Sequence, residues 1–168
     1  MFDGFPSPYT LSLAQDWCER EAHGGAWGYV WGIVAREDAN DAVVGCIGLV
    51  PDAGWTRCNA ELGYWVGEPH WRRGLVSDAL RQVTDWGFAA LPELTRVFAN
   101  IFASNEGSQA VASKCGFVRE GVLKQSAIKD GQVIDRVLWA TYRPGGDARP
   151  ANIDLALAMT ATTAMERA

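Results

Sequence analysis

The stretch that most constrains the fold of this chain is residues 63–79, which read GYWVGEPHWRRGLVSDA. It starts inside an aromatic and β-branched run, residues 61–66, which is typical of a strand. A turn containing Pro69 and Gly74 follows. Apolar residues then recur at the spacing of a helix with one inward face. The positions that this spacing turns inward are Val76, Ala79, Leu80, Val83, Gly87 and Leu91.

A strand, a glycine turn and a helix in this order also form a candidate anion site. The first-turn N–H groups of a helix have no intrahelical partner, and the positive end of its dipole lies there. Arg72 and Arg73 add positive charge, and Ser77 adds a hydroxyl in the first turn. We interpret the corner as a pyrophosphate cradle. An ordinary corner with solvated arginines explains the same residues about equally well.

A second segment, residues 105–117, reads NEGSQAVASKCGF and follows AELGYWV and WRRGLV along the chain. In this order the three motifs resemble the RimJ/RimL-type branch of the GNAT acetyltransferases, over roughly residues 9–143. The resemblance implies the GNAT fold of the α/β (α+β) class, a central, mostly antiparallel mixed sheet flanked by helices. It also implies acetyl-CoA as co-substrate and acetyl transfer to a primary amine.

The family's first strand and helix have no counterpart ahead of residues 5–9. We therefore expect either an N-terminally truncated gene fragment or a protein in which these elements are dispensable. The expected domain is residues 1–144, and residues 145–168 form a linker and a tail of unknown role.

The pattern along the chain predicts a capped helix over residues 10–22 and an antiparallel meander of three strands. The predicted strands span residues 27–36, 43–50, 59–66, 96–103, 119–128 and 132–142. The two further predicted helices span residues 75–91 and 106–115, with Gly116 ending the second. Asp130 and Gly131 favour a tight hairpin turn between the last two strands.

Composition narrows the partners and the compartment. The 168 residues suit one domain, and the net charge of −5 argues against a nucleic-acid-binding module. The acidic balance mildly favours amine or cationic substrates. The four cysteines show no metal-ligand spacing, so we expect reduced, mostly buried thiols in a cytoplasmic protein. His23 and His70 are too isolated to indicate a metal site. No apolar run is long enough to span a membrane. The sequence leaves open whether the protein forms a homodimer.

Acetyl transfer requires a neutral amine, donors for the thioester oxygen, and a proton or hydrogen bond for the leaving thiolate. Glu61 is the candidate base or ammonium anchor, because strand alternation places it on one face with Gly63 and Trp65. An ordinary solvated strand glutamate remains the alternative interpretation. Asp135 on the last strand is a weaker candidate base.

The resemblance implies that the residue assisting the leaving thiolate lies in the predicted helix of residues 106–115. Many GNAT enzymes carry a tyrosine at the position of Ala112, so no tyrosine is available here. The RimJ/RimL-type pattern instead implies Ser108 as the partner of the thiolate. Asn105 at the helix start is expected to cap the helix and bind the pantetheine arm. The plainer alternative is that Asn105 and Ser108 only cap the helix.

The full set of cofactor-binding residues that the resemblance implies lies along the first strand–turn–helix and the second helix. It is Tyr64, Trp65, Val66, Trp71, Arg72, Arg73, Gly74, Leu75, Val76, Ser77, Asn105, Ser108 and Lys114. Two positions depart from the wider superfamily: Trp71 replaces Gln or Arg and suits this branch. Val76 replaces Gly or Ala, so its side chain either crowds the phosphate or points into the core.

Two other classes of function stand as alternatives. A non-catalytic acyl-CoA-binding or regulatory domain, or an inactive fragment, would carry the same motifs, and a thiol-release assay separates it from an enzyme. A dinucleotide-binding oxidoreductase is disfavoured, because no GxGxxG follows a first strand. The sequence leaves the amine acceptor open between a small molecule and a protein N-terminus.

Overall fold

The computed structural model describes residues 10–22, 28–35 and 42–145 of the chain. Its helices are α1 (Leu11–Ala22), α2 (Leu75–Ala90) and α3 (Glu106–Lys114). Its strands are β1 (Tyr29–Val34), β2 (Val43–Pro51), β3 (Asn59–Val66), β4 (Arg96–Phe102), β5 (Val118–Lys129) and β6 (Gln132–Tyr142). Each predicted element is present with bounds within two residues of those expected. The expected tail beyond residue 145 and His23 lie outside the described residues.

The six strands form one mixed sheet in the order β1-β2-β3-β4-β6-β5. Strands β1, β2 and β3 make the predicted antiparallel meander, and β4, β6 and β5 are also joined antiparallel. The two halves meet at a short parallel pairing between β3 and β4. The hairpin between β5 and β6 turns at Asp130 and Gly131, whose φ angles of 50° and 75° suit the predicted turn.

Helices α2 and α3 pack on one face of the sheet and bury the core. The most completely buried large side chains are Ile47, Leu49, Leu80, Leu94 and Val97. Gly87 lets α2 approach β2 closely, because a Cβ added there would lie 2.8 Å from Cδ2 of Leu49. The helix is therefore held at a fixed height above the sheet.

Arg143, just after β6, fixes the far end of α2. Its guanidinium donates to the carbonyls of Leu91 at 2.8 Å and Leu94 at 2.9 Å, and also to the carbonyl of Phe88. A cation at a helix C-terminus satisfies free carbonyls and complements the dipole. With this end tied to β6, the N-terminus of α2 is set in place beside the end of β3.

An aromatic cluster ties the edge strand β1 to α2. The Trp31 and Trp86 rings meet edge to face at 4.9 Å between centroids, and Tyr29 meets Trp86 at 4.7 Å.

Among the helices that the structure describes, none is long and apolar enough to cross a bilayer.

The expectation of mostly buried thiols is wrong for Cys18, which is exposed on α1. Cys46 is buried in β2, and Cys58 and Cys115 are half-buried. Cys18 is exposed because α1 buries little of its surface, and even Leu11 on this helix is 76% exposed.

Candidate active site

The site begins where β3 and β4 stop pairing. The two strands run parallel, and their paired positions are Asn59 with Arg96, Ala60 with Val97 and Glu61 with Phe98. Strand β3 continues to Val66 and β4 to Phe102, but no pairing is recorded between these continuations. A gap therefore opens between two strands in the middle of the sheet.

Strand alternation shows which backbone groups face this gap. Gly67 donates to the carbonyl of Val44 at 2.9 Å, and Asp52 donates to that of Asn59 at 3.0 Å. Odd-numbered residues of β3 thus turn their backbone groups toward β2. Tyr64 and Val66 consequently turn theirs toward β4, beyond the last paired position.

One of these groups already has a partner within the chain. The indole N–H of Trp71 donates to the carbonyl of Val66 at 2.9 Å. Trp71 is 58% exposed, so this hydrogen bond braces the turn rather than filling the core. A tryptophan at this predicted cofactor position therefore has a structural role at the end of β3.

The turn after β3 delivers its residues to the N-terminus of α2 as the sequence predicted. Arg72 has a φ of 62° and Gly74 a φ of 82°, and no side chain caps the helix. A Cβ added at Gly74 would meet no atom within 4 Å. The backbone here leaves room for a group that approaches the first-turn N–H donors. Arg73 lies beside the ring of His70, with 3.0 Å between Nη1 and Nδ1.

The first turn of α2 differs from the prediction at Val76. The helical spacing placed Val76 inward, but it is half-buried and outside the core cluster, whereas Leu75 packs against that cluster. The residues on either side of Val76, Leu75 and Ser77, take the inward positions of this turn and leave Val76 half-buried. Ser77 is buried, and its carbonyl accepts from Sγ of Cys115 at 3.4 Å. This contact joins the C-terminus of α3 to the first turn of α2. Lys114, the last residue of α3, is therefore near that turn and is exposed.

The N-terminus of α3 lies beside the same gap. Oδ1 of Asn105 accepts the Ser108 N–H at 3.0 Å, so Asn105 is the helix cap. The Ser108 hydroxyl makes no capping bond, and it interacts with the Tyr64 phenol instead. The structure thus separates the roles of two residues that the capping alternative had treated together.

Tyr64 joins β3 to this helix. Its hydroxyl donates to the carbonyl of Ser108 at 3.2 Å, and burial raises the pKa of the Tyr64 phenol above its usual value. The phenol therefore stays protonated at neutral pH and keeps donating this bond. The sequence had placed Tyr64 among the cofactor residues without recognising that its side chain positions α3.

Glu61 lies on the opposite face of the sheet. Its neighbours Ala60 and Leu62 belong to the core beneath the helices, so alternation turns Glu61 away from them. Asn100 on β4 turns the same way, because Ala99 and Ile101 are core residues. Nδ2 of Asn100 donates to Oε1 of Glu61 at 3.0 Å, which joins the strands at the point where they part.

Trp65, further along β3, turns to the same face as Glu61, and its side chain is 42% exposed. Sequence reasoning missed Asn100 altogether. The signal that could have found it is a polar residue at an alternate position of the apolar run RVFANIF.

Asp135, the weaker candidate base, lies elsewhere. Its carboxylate accepts the Gln125 N–H at 2.8 Å and binds Nζ of Lys124 at 2.9 Å, across an irregularity in β5. The Gln125 N–H, followed by Lys124, lowers the pKa of Asp135. Its structural contacts explain this carboxylate without a catalytic role.

Comparisons with known proteins agree with this geometry. Residues 1–118 match the family model described as the acetyltransferase (GNAT) domain. The uncharacterised N-acetyltransferase YoaA of Bacillus subtilis is 36% identical over 117 residues, which cover 70% of this chain and 64% of YoaA. The ribosomal-protein-serine acetyltransferase of Escherichia coli is 36% identical over 81 residues, 48% of this chain and 45% of that protein. The chain thus spans less than two thirds of the length of these relatives.

Solved structures share the fold. The ribosomal-protein-S5-alanine acetyltransferase of Vibrio fischeri superposes with a TM-score of 0.65 at 23% identity, covering 83% of this chain and 72% of that one. Mutant forms of the spermidine/spermine N-acetyltransferase SpeG of Vibrio cholerae give 0.65 at 19% identity, covering 86% and 84%. The microcin C7 self-immunity acetyltransferase MccE, solved with acetyl-CoA and AMP, gives 0.54 at 25% identity, covering 60% and 55%.

These neighbours confirm the predicted GNAT fold, and the family is one whose members use acetyl-CoA. The branch within the family is left open, because both YoaA and a ribosomal-protein acetyltransferase are similar to the chain. The sheet parts between β3 and β4 beside the N-termini of two helices, and residues 1–118 match the family model. This chain therefore belongs to the GNAT acetyltransferase family.

Proposed function

We propose that this protein is an acetyl-CoA-dependent N-acetyltransferase that moves an acetyl group to a primary amine. The observation that carries the proposal is the gap between β3 and β4, which opens beside the N-termini of α2 and α3. Residues 1–144 form the acetyltransferase domain in this proposal, and residues 145–168 form the linker and tail.

The residues present fit acetyl-CoA at two places. The N-terminus of α2, with the open space at Gly74 and the charge of Arg72, suits the pyrophosphate. The gap-facing N–H of Tyr64 suits the pantetheine arm or the thioester oxygen, as an added strand would pair there. Acetyl-CoA supplies the acetyl group as a thioester, whose carbonyl carbon accepts a nucleophile.

Glu61 prepares the amine. A primary alkylamine with a pKa of about 10.4 is mostly protonated at neutral pH and cannot attack in that form. Glu61 takes a proton from the ammonium, directly or through a water molecule, and leaves a lone pair on nitrogen. Because Glu61 lies on the face opposite the helices, the amine reaches the acetyl group through the gap.

Two groups on the other side of the gap meet the charge that then develops. The C–N bond forms as the C–S bond breaks, and negative charge passes from the carbonyl oxygen to sulfur. The N–H of Tyr64 faces the oxygen, and the Ser108 hydroxyl donates to the departing thiolate. The α3 N-terminus favours negative charge at the same point. The attacking nitrogen carries two hydrogens and the amide product keeps one, so the proton that it releases completes the free thiol.

The acceptor class follows from charge and from the relatives. A net charge of −5 and a carboxylate at the gap suit an amine that arrives positively charged. We place the chain in the RimJ/RimL-type branch, supported by the similarity to a ribosomal-protein-serine acetyltransferase. The acceptor is then a protein N-terminal amine or a small amine.

The competing candidate is a domain that binds acyl-CoA without transferring the acyl group. The half-buried Val76 side chain, outside the core, lies in the first turn that the pyrophosphate would occupy. Cofactor binding and thiol release therefore need to be measured separately.

A first prediction concerns the cradle. Gly74→Ala should weaken coenzyme A binding, measured by calorimetry, about tenfold or more, because the added Cβ occupies the phosphate's approach. Gly54→Ala is the matched control, since Gly54 also has a positive φ, 62°, and open space around its Cβ position. Both changes should cost about 1–2 kcal/mol of stability from backbone strain.

Only Gly74→Ala should change affinity, because Gly54 lies in the turn before β3, at the opposite end of that strand from the cradle. Wild-type affinity should also fall with rising salt. Absence of coenzyme A binding by the wild-type protein would remove the cofactor assignment.

A second prediction concerns Glu61. Glu61→Gln should lower kcat for acetyl transfer by about a hundredfold or more, as expected for loss of a general base. Coenzyme A affinity should be unchanged, because Glu61 lies on the other face. Glu93→Gln, at a surface glutamate, should leave both quantities unchanged.

Thiol release with a panel of amines measures the rate in this experiment. Equal losses of turnover and coenzyme A affinity in Glu61→Gln would point to misfolding instead of lost base catalysis. A wild-type protein that binds coenzyme A and releases no thiol with any amine would select the non-catalytic alternative.

A third prediction separates Ser108 from Asn105. Ser108→Ala should change the free energy of unfolding by less than about 0.5 kcal/mol, because its hydroxyl does not cap α3. The same change should slow transfer by about tenfold to several hundredfold. Asn105→Ala should cost about 1 kcal/mol of stability through the lost cap. A fully active Ser108→Ala protein would defeat the assignment of Ser108 to the thiolate.

A further inference from the structure

Asn100 stands out in β4 as the polar residue among alternating apolar neighbours. Its Nδ2 group donates to Oε1 of Glu61 at 3.0 Å. The two residues are not a paired position of the strands, since Glu61 pairs with Phe98 and Asn100 lies two residues further along β4. The side-chain bond thus crosses the two strands directly after their last backbone pair.

The other end of the same amide is unpartnered. Oδ1 of Asn100 is buried and has no hydrogen-bond partner in the structure. A buried acceptor without a donor destabilises the free protein. A leucine would fill the position without this cost, so the orphaned oxygen is not explained by packing.

The polar groups that converge here are acceptors. Oε1 of Glu61 is engaged by Asn100, and no second hydrogen bond to this carboxylate is recorded among the described residues. An amide oxygen and a carboxylate on two side chains joined by a hydrogen bond call for a ligand with several N–H donors and positive charge. A primary ammonium, with three donors and no acceptor, meets this demand.

We propose that Asn100 and Glu61 together form the subsite for the acceptor's ammonium group, with Oδ1 of Asn100 accepting one of its N–H bonds. The inference rests on the proposed function, because it locates the amine of that reaction. Asn100 fixes Glu61 through Nδ2 and fixes the substrate nitrogen through Oδ1. When Glu61 removes one proton, the bond to Oδ1 holds the nitrogen while its lone pair turns to the gap.

A direct titration tests the subsite independently of turnover. The full chain, saturated with coenzyme A, is titrated with n-butylammonium chloride while the Gly63 backbone amide is followed by NMR. Tetramethylammonium chloride is the matched probe, with the same charge and no N–H donor. We expect a saturable shift with n-butylammonium alone.

The variants are chosen to keep the fold. Asn100→Leu should raise the dissociation constant for n-butylammonium about tenfold or more, as expected for a lost hydrogen bond to a charged group. Thr84→Val removes another orphaned buried oxygen, on α2, and should leave the constant unchanged. Circular dichroism and thermal unfolding establish that both variants are folded.

The outcomes separate the subsite from the reaction. No saturable shift in the wild type, equal shifts with both probes, or an unchanged constant in Asn100→Leu would overturn the subsite. Thiol release, measured in parallel, reports on the proposed function alone. A protein that binds n-butylammonium through Asn100 and releases no thiol would retain the subsite and lose the catalytic proposal.

Discussion

The rest of this structure depends on the parallel pairing of β3 and β4 ending after three residue pairs. Unpaired backbone groups inside a sheet are costly unless they find other partners. Here Trp71 satisfies the carbonyl of Val66, and the Tyr64 hydroxyl holds the first turn of α3 at the edge of the gap. The gap is thus a braced feature of the fold, and backbone donors are left at its centre.

The two faces of the sheet give the gap its chemical direction. On one face, the N-termini of α2 and α3 favour negative charge, which suits phosphates and a departing thiolate. On the other face, Glu61 and Asn100 present acceptors that suit a positively charged amine. In the proposed reaction, the two substrates are therefore kept on opposite faces until they meet through the gap. The packing at Gly87 and the contacts of Arg143 hold α2 where this arrangement requires it.

Much of this fold follows from local pattern. The strand periodicity, the Asp130–Gly131 turn and the Asn105 cap each act over a few residues, so the sequence predicts them. Glu61 and Asn100 are 39 residues apart in the sequence, and their hydrogen bond depends on the register between β3 and β4. The bond from Trp71 to Val66 was not predicted, because it depends on the exact path of the turn. The inward position expected of Val76 is taken by its neighbours Leu75 and Ser77, which apolar spacing alone does not show.

Amide hydrogen exchange at Tyr64 tests the central claim most directly. If the gap is open, the Tyr64 N–H lacks a β4 partner and should exchange faster in the free protein than the N–H of Ala60, which lies within the paired part of β3. Saturation with acetyl-CoA should slow exchange at Tyr64 by about tenfold or more and leave Ala60 nearly unchanged. Equal protection of the two amides in the free protein, with no change at Tyr64 on adding acetyl-CoA, would contradict the account.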